Sequence, residues 1–126
     1  MTGSGDADRT DAARARCRID VDTEGKYGWR MIAQNGRVVA VSAQAFDAPG
    51  NCARAFEELR ERYGEQTGAV QHTPSGNGWV WLLRKPDGDV TAVSARAYER
   101  HSTCRAAYER FRSLLSEMGG VTGSCL

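Results

Sequence analysis

The stretch AVSAQAFDAPGNCARAFEELR, residues 40 to 60, returns without a gap as AVSARAYERHSTCRAAYERFR, residues 92 to 112. At the same offset of 52, Trp29 matches Trp81, Gly36 matches Gly88, Val38 matches Val90, Cys52 matches Cys104 and Arg60 matches Arg112. Where the copies differ, size and class are mostly kept: Phe46 becomes Tyr98, Phe56 becomes Tyr108 and Leu59 becomes Phe111. Internal similarity at one fixed spacing means one supersecondary unit used twice. Two copies are too few for a solenoid, so they are expected to pair into one pseudo-twofold domain.

Each unit reads as three strands and a helix. CRIDVD, residues 17 to 22, alternates apolar and polar with the period of a half-buried strand, and AVQHT, residues 69 to 73, is its counterpart. YGWRMIAQ puts Tyr27, Trp29, Met31 and Ala33 on one face, and WVWLLRK does the same with Trp79, Trp81 and Leu83. The turns QNGR and PDGD follow, read as hairpins because both central residues tolerate positive φ. VVAVSA and VTAVSA are the third strands. Cys52, Phe56, Leu59 and Tyr63 then recur along one face of a helix, as do Cys104, Tyr108, Phe111 and Leu115 in the second unit. Asp47 or Asn51 is expected to cap the first helix and Ser102 the second, with Pro49 in a first turn. Gly64 and the pair Gly119–Gly120 are the expected stops. The closing GGVTGSCL supplies a last strand, so the chain reads βββα, βββα, β. The expected organisation is a disordered tail over residues 1–16 and one domain over 17–126: repeat one 17–66, repeat two 67–118, final strand 119–126.

Ile32, Val39, Val41, Val80, Leu82 and Val93 point away from the tryptophan face. Helices cover one face of a single sheet, so this second apolar face is an expected interface, and homodimerisation the expected use of it.

The motif Trp29, Asn35-Gly36, Val38, Ser42, Phe46 and CARAFEELR, with its second version Trp81, Asp87-Gly88, Val90, Ser94, Tyr98 and CRAAYERFR, resembles the YegP-like family of small proteins of unknown function. The resemblance spans about residues 17 to 117. It implies an α+β fold: two tandem βββα repeats forming one mainly antiparallel sheet, with two helices packed on one face and strands exchanged between the repeats. Its motifs are turns and core positions, which specify a fold and no activity. Members carry a Ser-Lys pair at the helix start, where this chain has Ala48-Pro49 and Arg100-His101, so an anion-binding helix start is expected only in a basic version in the second unit.

A length of 126 residues with 40% hydrophobic and 26% charged content fits one domain with a modest core. No stretch is apolar enough for a membrane span or signal peptide, and a cytoplasmic location without membrane attachment is expected. Cys17, Cys52, Cys104 and Cys125 lack the close spacing of zinc ligands, so no metal is expected. Disulfides are not expected either: Cys52 and Cys104 are read as buried small hydrophobes, Cys17 as facing the core from a strand, and Cys125 as an exposed thiol. Ser42 and Ser94 sit in AVSA, without the elbow that exposes a nucleophile, and are read as strand-end hydrogen-bonding groups. His72 and His101 are non-equivalent and are read as surface residues; no glycine-rich phosphate loop occurs. No catalytic residue and no cofactor are therefore assigned.

Charge distinguishes the copies. The formal net charge is +1, yet residues 79 to 117 hold seven basic and five acidic side chains against five and five in residues 27 to 65. The excess includes Arg96, Arg100, Arg105, Arg110 and Arg112, a candidate surface for an acidic partner or a nucleic-acid backbone. The leading functional expectation is a small non-enzymatic interaction module, homo-oligomeric or with another protein partner. The alternatives are nucleic-acid or acidic-partner binding through the second helix, and small-ligand binding between the repeats with Trp29, Trp79 and Trp81 as lining.

Overall fold

A computed structural model describes residues 15–118 of the chain. The expected tail up to residue 14, the expected closing strand 119–126, the expected stop at Gly119–Gly120 and Cys125 lie outside the described residues. Strand β1 is Ala15–Val21, β2 is Tyr27–Ala33 and β3 is Val38–Ser42, followed by helix α1, Pro49–Arg62. The second unit repeats the order with β4, Thr67–His72, β5, Trp79–Arg84, β6, Val90–Ser94, and α2, His101–Met118. Ala15 and Arg16 thus belong to a strand, where a tail was expected, because Arg16 pairs with Ile32 and Ala15 with Ala33.

The six strands form one antiparallel sheet in the order β1-β2-β3-β6-β5-β4. The expected exchange of strands between repeats does not occur among these six: each unit keeps its own three, and the units meet where β3 pairs with β6. A hairpin joins neighbours at low loop-closure cost, so local pairing wins within each unit. Both helices lie on one face. There Cys52, Phe56 and Leu59 of α1 and Cys104, Phe111 and Leu115 of α2 close over Trp29, Met31, Ala40, Trp81, Leu83 and Ala92, one continuous buried core. Trp29 meets Phe56 edge-on with ring centroids 5.0 Å apart, and Trp81 stacks on Phe111 at 4.5 Å.

The turns differ from the expected hairpin type. No residue other than glycine has positive φ among the described residues, whereas Gly36 sits at +87° and Gly88 at +98°. Gly36 N–H donates to Ala33 O, Ala33 N–H to Arg37 O, and Asn35 Oδ1 accepts from Arg37 N–H. This is a type I turn closed by a glycine bulge, in which the Asn or Asp bonds its own backbone two residues on. The β1–β2 turn is built alike around Gly25, and the β4–β5 turn is one residue longer, Thr73 to Gly78 against Asp22 to Lys26. Ile19 therefore faces Trp29 while Val70 faces Trp81, so the first strands correspond at an offset of 51.

The expected caps are not used. Ala48 is the N-cap of α1 with no side-chain bond, because Asp47 pairs instead with Lys26, and Ser102 falls inside the first turn of α2. Pro49 does occupy the first turn. Gly64 lies in a 3-10 turn, Tyr63–Glu65, without positive φ. Cys52 and Cys104 are free and buried; burial pushes the Cys52 thiol up to about 11 and raises that of Cys104 as well. Cys17 is buried but disulfide-bonded, against expectation. Bridging depends on two Cα atoms approaching within about 6 Å in space, and spacing along the chain does not report on that. None of the described helices is long and apolar enough to cross a membrane.

Candidate functional site

Residues directly opposite one another across a sheet share a face. One such row crosses all six strands on the side away from the helices: Arg18, Arg30, Val41, Val93, Leu82 and Ala69. Val41 and Val93 are equivalent positions of the two repeats and meet at the centre. Around them Ile32 and Leu82 are buried and Val38 and Val80 half-buried. None of the described helices packs there. Val39, expected on this face, does not belong to it. Met31 pairs with Ala40 and Ile32 with Val38, so Val39 is the extra residue of a bulge and packs against the core instead.

Four arginines frame the apolar centre. Arg16 stands opposite Ile32, Arg18 opposite Arg30, and Arg84 opposite Val90 and Thr67. Arg30 is paired with Asp20. Arg16, Arg18 and Arg84 are exposed and have no ion-pair partner among the described residues. Like charges directly opposite in a sheet repel; Asp20 offsets the charge of Arg30 and leaves that of Arg18 open to an anionic partner. A groove of about 380 Å³ runs beside Gly28 between Asp20, Arg30 and Val41. Repeat two has Val80 where Gly28 stands, so the groove is a property of repeat one. These arginines were not among the expected site residues, although the alternation of ARCRIDV against Cys17 and Ile19 already puts Arg16 and Arg18 on the far side.

The arginines expected to form one surface on α2 are dispersed. Arg112 is half-buried, its guanidinium 5.3 Å from the Tyr63 ring centroid and donating to Tyr108 Oη at 3.1 Å. That hydrogen bond, chiefly, raises its pKa further. It is a packing residue, as is its equivalent Arg60, which is buried, pairs with Glu57 and donates to the Met118 carbonyl at the end of α2. Arg105 pairs with Glu109 at 3.5 Å and Arg96 lies over the Tyr98 ring at 5.3 Å. Arg110 is about 140° around the helix from Arg105 at ~100° per residue, so the two face different ways. Arg100 is exposed just before the helix.

The other candidates resolve simply. Ser42 Oγ accepts from Trp29 N–H and Ser94 Oγ from Trp81 N–H, both at 3.3 Å, the strand-end bonding expected of them. His72 and His101 are exposed yet meet at one side chain: His72 packs on Trp79 at 3.7 Å and His101 approaches it edge-on at 4.8 Å. Trp29 lines a cavity between the repeats, whereas Trp81 is fully buried.

Comparison with solved structures gives the fold and stops there. The chain is similar to a solution structure of the protein of unknown function yegP from E. coli, with a TM-score of 0.62, 8% identity, and 89% of this chain and 90% of that one covered. It is also similar to the UPF0339 protein SO3888 from Shewanella oneidensis, with a TM-score of 0.59, 10% identity and 89% of each chain covered. No protein-family model and no curated protein matches the sequence. The YegP-like architecture expected from the turn and core motifs is the architecture found.

Proposed function

We propose that the protein is a non-enzymatic interaction module whose helix-free sheet face receives an acidic segment with an apolar centre, supplied by another protein. The observation that carries this reading is the six-strand row of Arg18, Arg30, Val41, Val93, Leu82 and Ala69. Valines at its middle offer apolar area, and unpaired Arg16, Arg18 and Arg84 around it select for negative charge. The face carries no aromatic side chain in this row, so it lacks the stacking platform by which sheets hold single-stranded nucleic acid.

A homodimer through the same face is the second reading, favoured by the paired Val41 and Val93 at the repeat axis. Two copies would bring their arginines together, which opposes it. Binding of a fluorescent peptide with a Leu-Val centre and Glu flanks decides between them. It is expected to weaken at least tenfold in the triple variant Arg16→Glu, Arg18→Glu, Arg84→Glu at about 0.1 M salt. Unchanged affinity in that variant would sink the acidic-partner reading. Sedimentation giving a dimer that is strengthened by the triple variant Arg16→Gln, Arg18→Gln, Arg84→Gln, which removes the repelling charge from both copies, would favour the second copy.

A further inference from the structure

We infer that the cavity between α1 and the β5–β6 hairpin is a binding site for a small zwitterion of the α-amino-acid type, separate from the sheet face. The cavity holds about 200 Å³ and has apolar walls from Trp29, Phe46, Leu59 and Val90. Its polar lining is Gln44, Glu58, Gln66, Lys85, Asp89 and Thr91. A second space of about 260 Å³ continues it outward past Glu58, Gln66 and Lys85.

Three features specify the ligand. Lys85, Glu58 and Asp89 have no ion-pair partner among the described residues, so one cation and two carboxylates around a single space are all available. Gln66 is 7% exposed, and only one end of its amide is engaged. Thr91 Oγ1 lies 2.6 Å from Gln66 Oε1 and 3.2 Å from the Leu83 carbonyl, and a hydroxyl has one proton to give. If the proton goes to Gln66, the amide NH2 is left free. If it goes to Leu83, the amide turns over, donates to Thr91, and leaves its oxygen free. In either state the carboxamide keeps an unused polar atom at the cavity that solvent reaches, free to bond a ligand in place of water. An ammonium between Glu58 and Asp89, a carboxylate toward Lys85 and the Gln66 amide, and an apolar side chain against Trp29 and Leu59 satisfy the whole lining.

The other repeat shows that this lining is particular to one site. At the equivalent positions Leu59 becomes Phe111, Gln66 becomes Met118 and Thr91 becomes Val39, and the first two are buried core residues. Charge inverts as well: Glu58 becomes Arg110 and Asp89 becomes Arg37. The duplication has kept the frame and given only the site between α1 and the β5–β6 hairpin, not its counterpart between α2 and the β2–β3 hairpin, this mixed-charge lining.

The test is titration of ¹⁵N-labelled protein with each standard amino acid to roughly 5 mM, enough to detect millimolar affinity. At least one apolar amino acid is expected to shift the backbone signals of Gln66, Thr91 and Trp29. The amine lacking its carboxylate and the acid lacking its ammonium are expected to bind at least tenfold more weakly. Leu59→Phe, which installs the repeat-two residue, is expected to abolish binding. Lys85→Gln and Glu58→Gln, which sit outside the core, are expected to weaken it tenfold or more even if that variant folds poorly. Absence of any shift, equal binding of the amine or the acid alone, or indifference to both charge substitutions would overturn the assignment.

Discussion

Gly68 and Tyr108 show how a single position can be fixed by what packs on it. A Cβ built at Gly68 would stand 2.1 Å from both Cζ and Oη of Tyr108, a large ring of α2 laid directly on strand β4. Gly68→Ala is therefore expected to destabilise the fold by about 1–3 kcal/mol, since an overpacked core must shift backbone or ring. Gly64 has nothing within 4 Å of a built Cβ and no positive φ, so Gly64→Ala is expected to stay within about 0.5 kcal/mol. Urea denaturation of the pair measures both. Nothing in TGAVQ announces Gly68 as different from Gly64, because the difference is made by a side chain forty residues downstream. The cysteines were more legible: Cys52 and Cys104 recur on the core face of each helix, and both are buried. With the Cys52 thiol at about 11 when folded against 9.0 when exposed, the unfolded chain binds fewer protons between those values. Stability is expected to fall as pH rises through that window and to fall less in Cys52→Ala, as thermal melts at pH 8 to about 11 would show. Iodoacetamide should leave both thiols unmodified at neutral pH until denaturant is added.

At the scale of elements, the strands and helices followed from apolar period, while their ends did not. Periodicity reports which side chains a core removes from water, a property of an element's middle. Ends depend on competing local bonds: Asp47 is claimed by Lys26, so Ala48 is left to begin α1 without a side-chain acceptor. Ala48→Ser is expected to stabilise the protein by about 0.5–1 kcal/mol by supplying that acceptor, and Asp47 should remain paired with Lys26. A midpoint in denaturant that does not rise would mean that the backbone at 48 cannot present the hydroxyl. The bulges at Val39 and Thr91 were equally invisible in VVAVSA and VTAVSA, whose even alternation assigns Val39 to the wrong face. The same inserted residue carries Thr91 to the cavity and Val39 to the core, so one irregularity supplies a polar group in one repeat and an apolar one in the other.

For the whole molecule, the duplication foretold the layered architecture, the shared helix face and the apolar reverse of the sheet. It did not foretell the partner of each strand. Strand order is a tertiary choice among pairings of similar local quality, and here the short hairpins decided it. The functional surfaces were partly legible. The apolar half of the sheet face was read from Ile32, Val41 and Leu82, but the arginines around it needed the register. The α2 arginines illustrate the reverse error, since counting charge along a helix ignores that Arg112 is held between tyrosines and that Arg105 has its own glutamate.

The seam between the units carries a consequence for how such a chain can grow. β3 and β6 run antiparallel with Val41 set against its own counterpart Val93, so the surface each unit offers is the surface it receives. That is an isologous contact, and isologous contacts close. A third copy appended to the chain would find both seam strands, β3 and β6, already taken, unlike a solenoid, where every unit exposes a fresh copy of the same end. Two is the complete number for this geometry, and a lone unit would satisfy the seam by meeting its twin through β3.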